Sequence, residues 1–354
     1  MTVFEIQSLM NDPYPNLPHR LKNYVLNSVL GKGGFAFVYK AVNVFYNVEF
    51  AVKVITPPKE GYDRILRSFD AEVNALVKLD HPNVIRLYDF FSEDDHLFLV
   101  LEFCSRGTLE NKISSGEIIP DPMKFKICSQ ILSALKYCYD QSISHRDIKA
   151  SNILFDSNGR VKVADFGLSE LIGHDENFNE FNGSLCYASP EICRKLAHNP
   201  FKSDVWSLGV LFYRLFTYSY PFNGRTKSEL KDRIVEGFYS EKIQGPVGKI
   251  IRKMLTVDPE NRITIDQLNE MELFKSPSQR TVSFNMVGCP NTKSYRILQP
   301  KPNLIQAASS KRRYSLQYLI SDFPQKPAQN IGTARCINLI SHNTFTTSPN
   351  CNEK

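Results

Sequence analysis

Apolar residues change their spacing along the chain, and each change predicts a different element. Tyr24 to Leu30 and Phe35 to Val42 are rich in β-branched and aromatic residues and flank Gly31-Lys32-Gly33-Gly34. That pattern predicts two strands joined by a glycine-rich hairpin turn. Ala51-Val52-Lys53-Val54-Ile55 predicts a third strand carrying one cation, and His96 to Phe103 a further one. Between them the spacing is helical: Ile65, Phe69, Val73, Leu76 and Leu79 recur every three or four positions and form one stripe. Glu72 falls inside that stripe. A carboxylate facing a core costs on the order of several kcal/mol unless an opposite charge meets it, and Lys53 is the partner at hand. Farther on, Val205 to Tyr218 is the most apolar run, interrupted by Arg214. It is too short to cross a bilayer, so it predicts a buried core helix and no membrane span.

Length and composition narrow the class. The chain of 354 residues, 42% hydrophobic and 12% aromatic, is long enough for one two-lobed globular unit with something to spare. Met1 to Pro13 lacks a basic start followed by an apolar run, so a secretory signal is not expected. Eight cysteines, at 104, 128, 138, 186, 193, 289, 336 and 351, show no paired short spacings. They read as reduced thiols of a cytoplasmic protein, neither a zinc cluster nor a disulfide framework. Charge is uneven: residues 275–354 hold eleven Lys or Arg against two Asp or Glu, leaving 32 against 35 for residues 1–274. The net charge of +6 is therefore a property of the tail. Rich in Ser, Thr, Asn, Gln and Pro, the tail reads as mostly disordered, with a solvated linker the plainest role and no nucleic acid expected.

The densest chemistry lies in His145-Arg146-Asp147-Ile148-Lys149-Ala150-Ser151-Asn152, followed by Asp165-Phe166-Gly167. A carboxylate, an ammonium, an amide and a second carboxylate in this order suit a phosphoryl donor, its metal ions and an acceptor hydroxyl. Downstream stand Ser189-Pro190-Glu191, Asp204-Val205-Trp206-Ser207-Leu208-Gly209 and Arg262. On these motifs the chain from Tyr24 to Phe274 resembles the eukaryotic protein kinases, in the serine/threonine branch, nearest the calmodulin-dependent and AMP-activated group.

That resemblance implies an α+β, bilobal fold: a β-sheet lobe with one key helix over 24–104 and a mainly helical lobe over 105–274. An N-terminal extension, 1–23, and the basic tail, 275–354, would flank it. It implies ATP and Mg2+ as cofactors and protein substrates with Ser or Thr acceptors. Asp147 would be the base and Lys149 the cation at the transferring group, with Asn152 and Asp165 as metal ligands. Gly31, Lys32, Gly33 and Gly34 would cover the phosphates, with Ala36 in place of the last family glycine. Lys53 and Glu72 would position the α- and β-phosphates. Val38, Ala51 and Leu154 would line the nucleotide, with Leu101 behind it and the backbone of Glu102 and Cys104 against adenine. Glu191 and Arg262 would form a structural ion pair.

Regulation departs from the family pattern. Glu180 stands where an activating phosphorylated residue would pair with Arg146, so partial activity without phosphorylation is expected; a solvent-exposed Glu is an equal reading. Thr108, Ser151 and Arg214 occupy positions that are acidic in kinases selecting upstream arginine, so no such selection is expected, and Arg214 would tolerate acidic substrates. Phe181, Leu185 and Ala188 would hold an apolar residue after the target. In the tail, Arg312-Arg313-Tyr314-Ser315 reads as a target for another kinase. Leu304 to Ile320 weakly resembles a calmodulin-binding or autoinhibitory helix, with a disordered linker the favoured reading.

Overall fold

Period-two alternation builds the first layer. The computed structural model describes residues 12–33, 36–58, 61–167, 170–171 and 185–274. The chain separates into two units, 1–289 and 290–354, and every described residue belongs to the first. Six strands, β1 (His19–Leu21), β2 (Tyr24–Lys32), β3 (Ala36–Asn43), β4 (Glu49–Ile55), β5 (Leu87–Glu93) and β6 (His96–Glu102), form one antiparallel sheet in the order β1-β2-β3-β4-β6-β5. Directly opposed residues share a face. Phe37, Tyr39, Ala41, Val52, Val54, Phe98 and Val100 lie on one face and bury a core of their own, against which Tyr14 and Leu17 pack. Val38, Lys53 and Leu99 are register partners on the other face. The sheet begins ahead of the expected boundary at residue 24: β1 pairs with β2 across a turn in which Lys22 has φ +49°.

Helix α1 (Tyr62–Lys78) starts three residues before its apolar stripe, because the first turn is polar and faces outward. Phe69, Glu72, Val73, Ala75 and Leu76 are its buried face. Two contacts then join the lobes. The Val163 N–H donates to the Asn83 carbonyl at 2.8 Å, and the Ile85 N–H to the Val163 carbonyl at 2.9 Å.

The larger lobe holds α2 (Leu109–Ser114), α3 (Asp121–Asp140), α4 (Pro190–Cys193), α5 (Pro200–Thr217), α6 (Lys227–Glu236), α7 (Gly245–Met254) and α8 (Ile265–Glu270). Short strands β7 (Ile143–Ser144), β8 (Ile153–Phe155), β9 (Val161–Val163) and β10 (Glu170–Leu171) pair as β7 with β10 and β8 with β9. Helix α5 carries the predicted apolar run and is buried along most of its length. Its first turn is set by Pro200 and by the Asn199 side chain, which accepts from the Phe201 N–H at 2.9 Å. Gly209 lets α7 press close, since a β-carbon there would sit 2.9 Å from Met254 Cβ. Among the described residues no helix is long and apolar enough to cross a membrane.

Candidate active site

Strand β4 is an interior strand, and Lys53 stands on the sheet face opposite the core of the small lobe. Its Nζ reaches Glu72 Oε2 at 2.7 Å and Asp165 Oδ1 at 2.9 Å. Burial by itself would lower the Lys53 ammonium, but Asp165 and then Glu72 outweigh it and hold the group above its ordinary range. Glu72, only 2% exposed, is pushed up by burial while Lys53 opposes the shift. Asp165 is held down to about 2, by the Lys53 charge first, and stays ionised across the physiological range. The pair expected from a misplaced acid on a helix stripe is thus present, and it extends to a third charge.

A loop carries the second group of residues, and the core helix holds that loop. Asp204 of α5, 1% exposed, accepts from the backbone N–H groups of His145 at 2.7 Å and Arg146 at 2.8 Å. Arg146 (φ +64°) and Asp165 (φ +69°) sit in the left-handed region, which costs roughly 1–3 kcal/mol for such residues. The Asp204 bonds on one side and the Lys53 ion pair on the other over-determine both. The His145 ring is fixed as well: its Nδ1 accepts from the Asp147 N–H at 3.2 Å, which leaves Nε2–H to donate to the Ala164 carbonyl at 3.1 Å. Phe166, fully buried, packs on that ring at 4.7 Å. Asp147 Oδ2 then accepts from Lys149 Nζ at 2.6 Å and from Asn152 Nδ2 at 3.1 Å. Because Asn152 Nδ2 also donates to the Asp147 carbonyl at 2.9 Å, its amide oxygen is the group turned to other partners.

The residues expected around a nucleotide divide by what holds them. Gly31 belongs to β2, and among the described residues a β-carbon there would meet nothing within 4 Å. Gly33 donates its N–H to the Ala36 carbonyl at 2.7 Å, closing the turn, and Lys32 Nζ lies 5.3 Å over the Phe37 ring. Gly34 lies outside the described residues. Val38, Ala51, Leu101 and Leu154 are apolar yet only half-buried, the state of side chains beside an open apolar site. The Glu102 N–H donates to the Arg86 carbonyl at 2.9 Å, so its carbonyl is the backbone group left for a purine edge. Its carboxylate pairs with buried Lys162 at 2.8 Å. Burial pushes the Cys104 thiol up to about 12.

Around the substrate positions, Thr108 caps α2 by accepting from the Asn111 N–H at 3.0 Å, and Ser151 is exposed. Arg214 corrects an expectation: it is 7% exposed and forks onto Glu110, with Nη2 at 2.5 Å from Oε1. Its Nη1 also donates to Tyr187 Oη at 3.2 Å, which receives the Ala150 N–H at 3.3 Å. An arginine already neutralised by a carboxylate is a weak acceptor of acidic substrates. Leu185 and Ala188 are described; Glu180, Phe181 and the tail motifs lie outside the described residues. Glu191 and Arg262 pair as expected, at 2.8 and 2.9 Å.

Sequence reasoning missed the tethering work of Asp204 and the partners Glu110 and Lys162. Asp204 had one signal, an acid heading the most apolar helix, whereas Glu110 and Lys162 look like ordinary surface charges in one dimension.

A family model described as protein kinase domain matches residues 24–274. The chain is similar to the human NUAK family SNF1-like kinase 1, 35% identical over 72% of this chain and 38% of that protein. It is also similar to the serine/threonine-protein kinase SIK2 of Gallus gallus, 34% identical over 76% and 34%. A plant relative, the CBL-interacting serine/threonine-protein kinase 12 of Arabidopsis thaliana, is 31% identical over 72% and 53%. The chain therefore spans between about a third and a half of the length of these relatives.

Proposed function

We propose, from the premise that this chain belongs to the protein kinase family, that it transfers the γ-phosphoryl group of ATP to serine and threonine hydroxyls of protein substrates. The observation that carries this reading is the double reach of Lys53 to Glu72 and Asp165, beside a loop on which Asp147 and Asn152 are pinned. The domain would run over 24–274, with lobes meeting near residues 104 and 105.

Bound ATP with magnesium supplies the phosphoryl group and the positive charge that offsets it in transfer. The donor set fits a hard ion: an ionised Asp165 carboxylate and the Asn152 amide oxygen are oxygen ligands. Lys53 draws the α- and β-phosphates into register, and Gly31 and Gly33 keep side chains out of their way. The Glu102 carbonyl and the Cys104 backbone meet the adenine edge between Val38, Ala51 and Leu154. Asp147 accepts a hydrogen bond from the acceptor hydroxyl and takes its proton, while Lys149 stabilises the charge on the transferring group. Lys149 two residues after Asp147 favours Ser and Thr as acceptors. A binding-only scaffold is disfavoured because Lys53, Glu72, Asp147, Asn152 and Asp165 are all present. The cysteine spacing supports a cytoplasmic location, and the basic composition of 275–354 supports binding of a regulatory protein.

Phosphate incorporation into a positional peptide library tests the reading, with Asp165→Ala as inactive control. Incorporation no greater than in that control would sink it. The library also tests Arg214. Glu110→Ala should free the guanidinium and raise selection for acidic residues upstream of the target about two- to fivefold, the worth of a single weak ion pair. An unchanged profile would mean that Arg214 does not face the peptide.

A further inference from the structure

The Glu72 and Asp165 segments are joined in the structure by two ties of different kinds. The first is ionic and runs through Lys53. The second is neutral: Ser68, one turn before Glu72 on the same face of α1, donates its hydroxyl to the Gly167 carbonyl at 2.5 Å. A β-carbon on Gly167 would lie 3.2 Å from Ser68 Oγ, 3.5 Å from Glu72 Oε2 and 3.7 Å from Asp165 Oδ1, so the three groups converge on one point. Lys53 must divide itself among Glu72, Asp165 and, on the function proposed above, the nucleotide phosphates. Its hold on the helix weakens as it takes on a third anion. Ser68 makes no such compromise, because its partner is a backbone carbonyl two residues past Asp165.

We propose that Ser68 is a positioning residue, its hydroxyl locking the helix that bears Glu72 to the segment that bears Asp165 independently of Lys53. Nothing in the composition of α1 marks it, since a serine inside a helix is ordinarily turned to water or to its own backbone. The proposal rests on the kinase reading for its effect on rate, but the tie itself is a property of the fold.

Two measurements on the full chain test it. In steady-state phosphorylation of a peptide, Ser68→Ala should lower kcat about two- to tenfold, the worth of one hydrogen bond, with peptide KM unchanged. Ser68→Thr, which keeps the hydroxyl, should stay within about twofold of the parent. Ser68→Glu should fall below the Ala variant, because it sets a third negative charge beside Glu72 and Asp165. In amide hydrogen exchange, Ser68→Ala should quicken exchange in peptides covering 62–78 and 161–167 together, while Ser68→Thr leaves both at parent rates. An Ala variant equal to the parent in both measurements overturns the proposal, and so does a Thr variant that behaves like Ala. A parent chain with no activity overturns the kinase reading instead, and the exchange rates still decide the tie.

Discussion

Arg262→Ala should lower folding stability by about 3–5 kcal/mol, the cost of stranding a buried charge. Arg262 is 2% exposed, and its guanidinium places all five N–H donors. Two go to Glu191 Oε1 and Oε2, one to the Lys202 carbonyl at 2.7 Å, one to the Thr256 carbonyl at 2.9 Å and one to the Val257 carbonyl at 3.2 Å. The cation also lies 5.2 Å over the Trp206 ring. Remove it, and Glu191, 4% exposed, keeps among the described residues only Ser203 at 2.9 Å as a side-chain donor. Burial alone would raise the Glu191 carboxyl, and Arg262 is what brings it below the ordinary range. Thermal unfolding should reveal the loss as a fall of roughly 6–20 °C in midpoint. Arg262→Lys should recover only part of it, because an ammonium cannot reproduce the planar fork. A double variant, Glu191→Gln with Arg262→Met, should lose less than the two single changes summed, and strict additivity would show that the pair is not coupled. A drop below about 1 kcal/mol for Arg262→Ala would place the pair with exposed ion pairs of little worth.

Asp147→Asn should leave the fold intact and lower kcat by about 10²–10⁴, the contribution of a positioned general base, or roughly 2.7–5.4 kcal/mol of barrier. The substitution is conservative in shape. An amide oxygen still accepts from Lys149 Nζ, and the backbone bonds from Asp204 that hold the loop are untouched. What is lost is the ability to take a proton. Because the proposed function sets Asp147 against the acceptor hydroxyl and not the nucleotide, KM for ATP should stay near its parent value while kcat collapses. Rapid-quench or steady-state phosphorylation with matched thermal midpoints would separate this from unfolding. Activity retained within tenfold would remove Asp147 from the base role and leave positioning alone to account for the rate.

Each prediction draws on a different part of what could be read in advance. The strands around the glycine turn and the stripe of α1 were legible because both periods are local properties of the chain. So was the Lys53–Glu72 pair, since an acid among apolar positions demands a counter-charge wherever the fold finds it. Element ends were less legible. Helix α1 begins at Tyr62, ahead of its first apolar residue, and β1 precedes the expected start of the domain, because polar first turns and short edge strands leave little periodic signal.

The amino-acid order by itself therefore determined the kind of chemistry and the two-lobed class. Residue types at fixed separations state which charges and amides are available, and hydrophobic periods state which faces must be covered. Tertiary structure alone decided how those groups are held: Asp204 under the His145 and Arg146 backbone, Ser68 on the Gly167 carbonyl, and Glu110 neutralising Arg214 across 104 positions of sequence. The physical reason is that a hydrogen bond or ion pair depends on distance in space. An acid or hydroxyl carries the same letter whether water or a buried partner satisfies it, so its role appears only once the packed core has brought distant segments together.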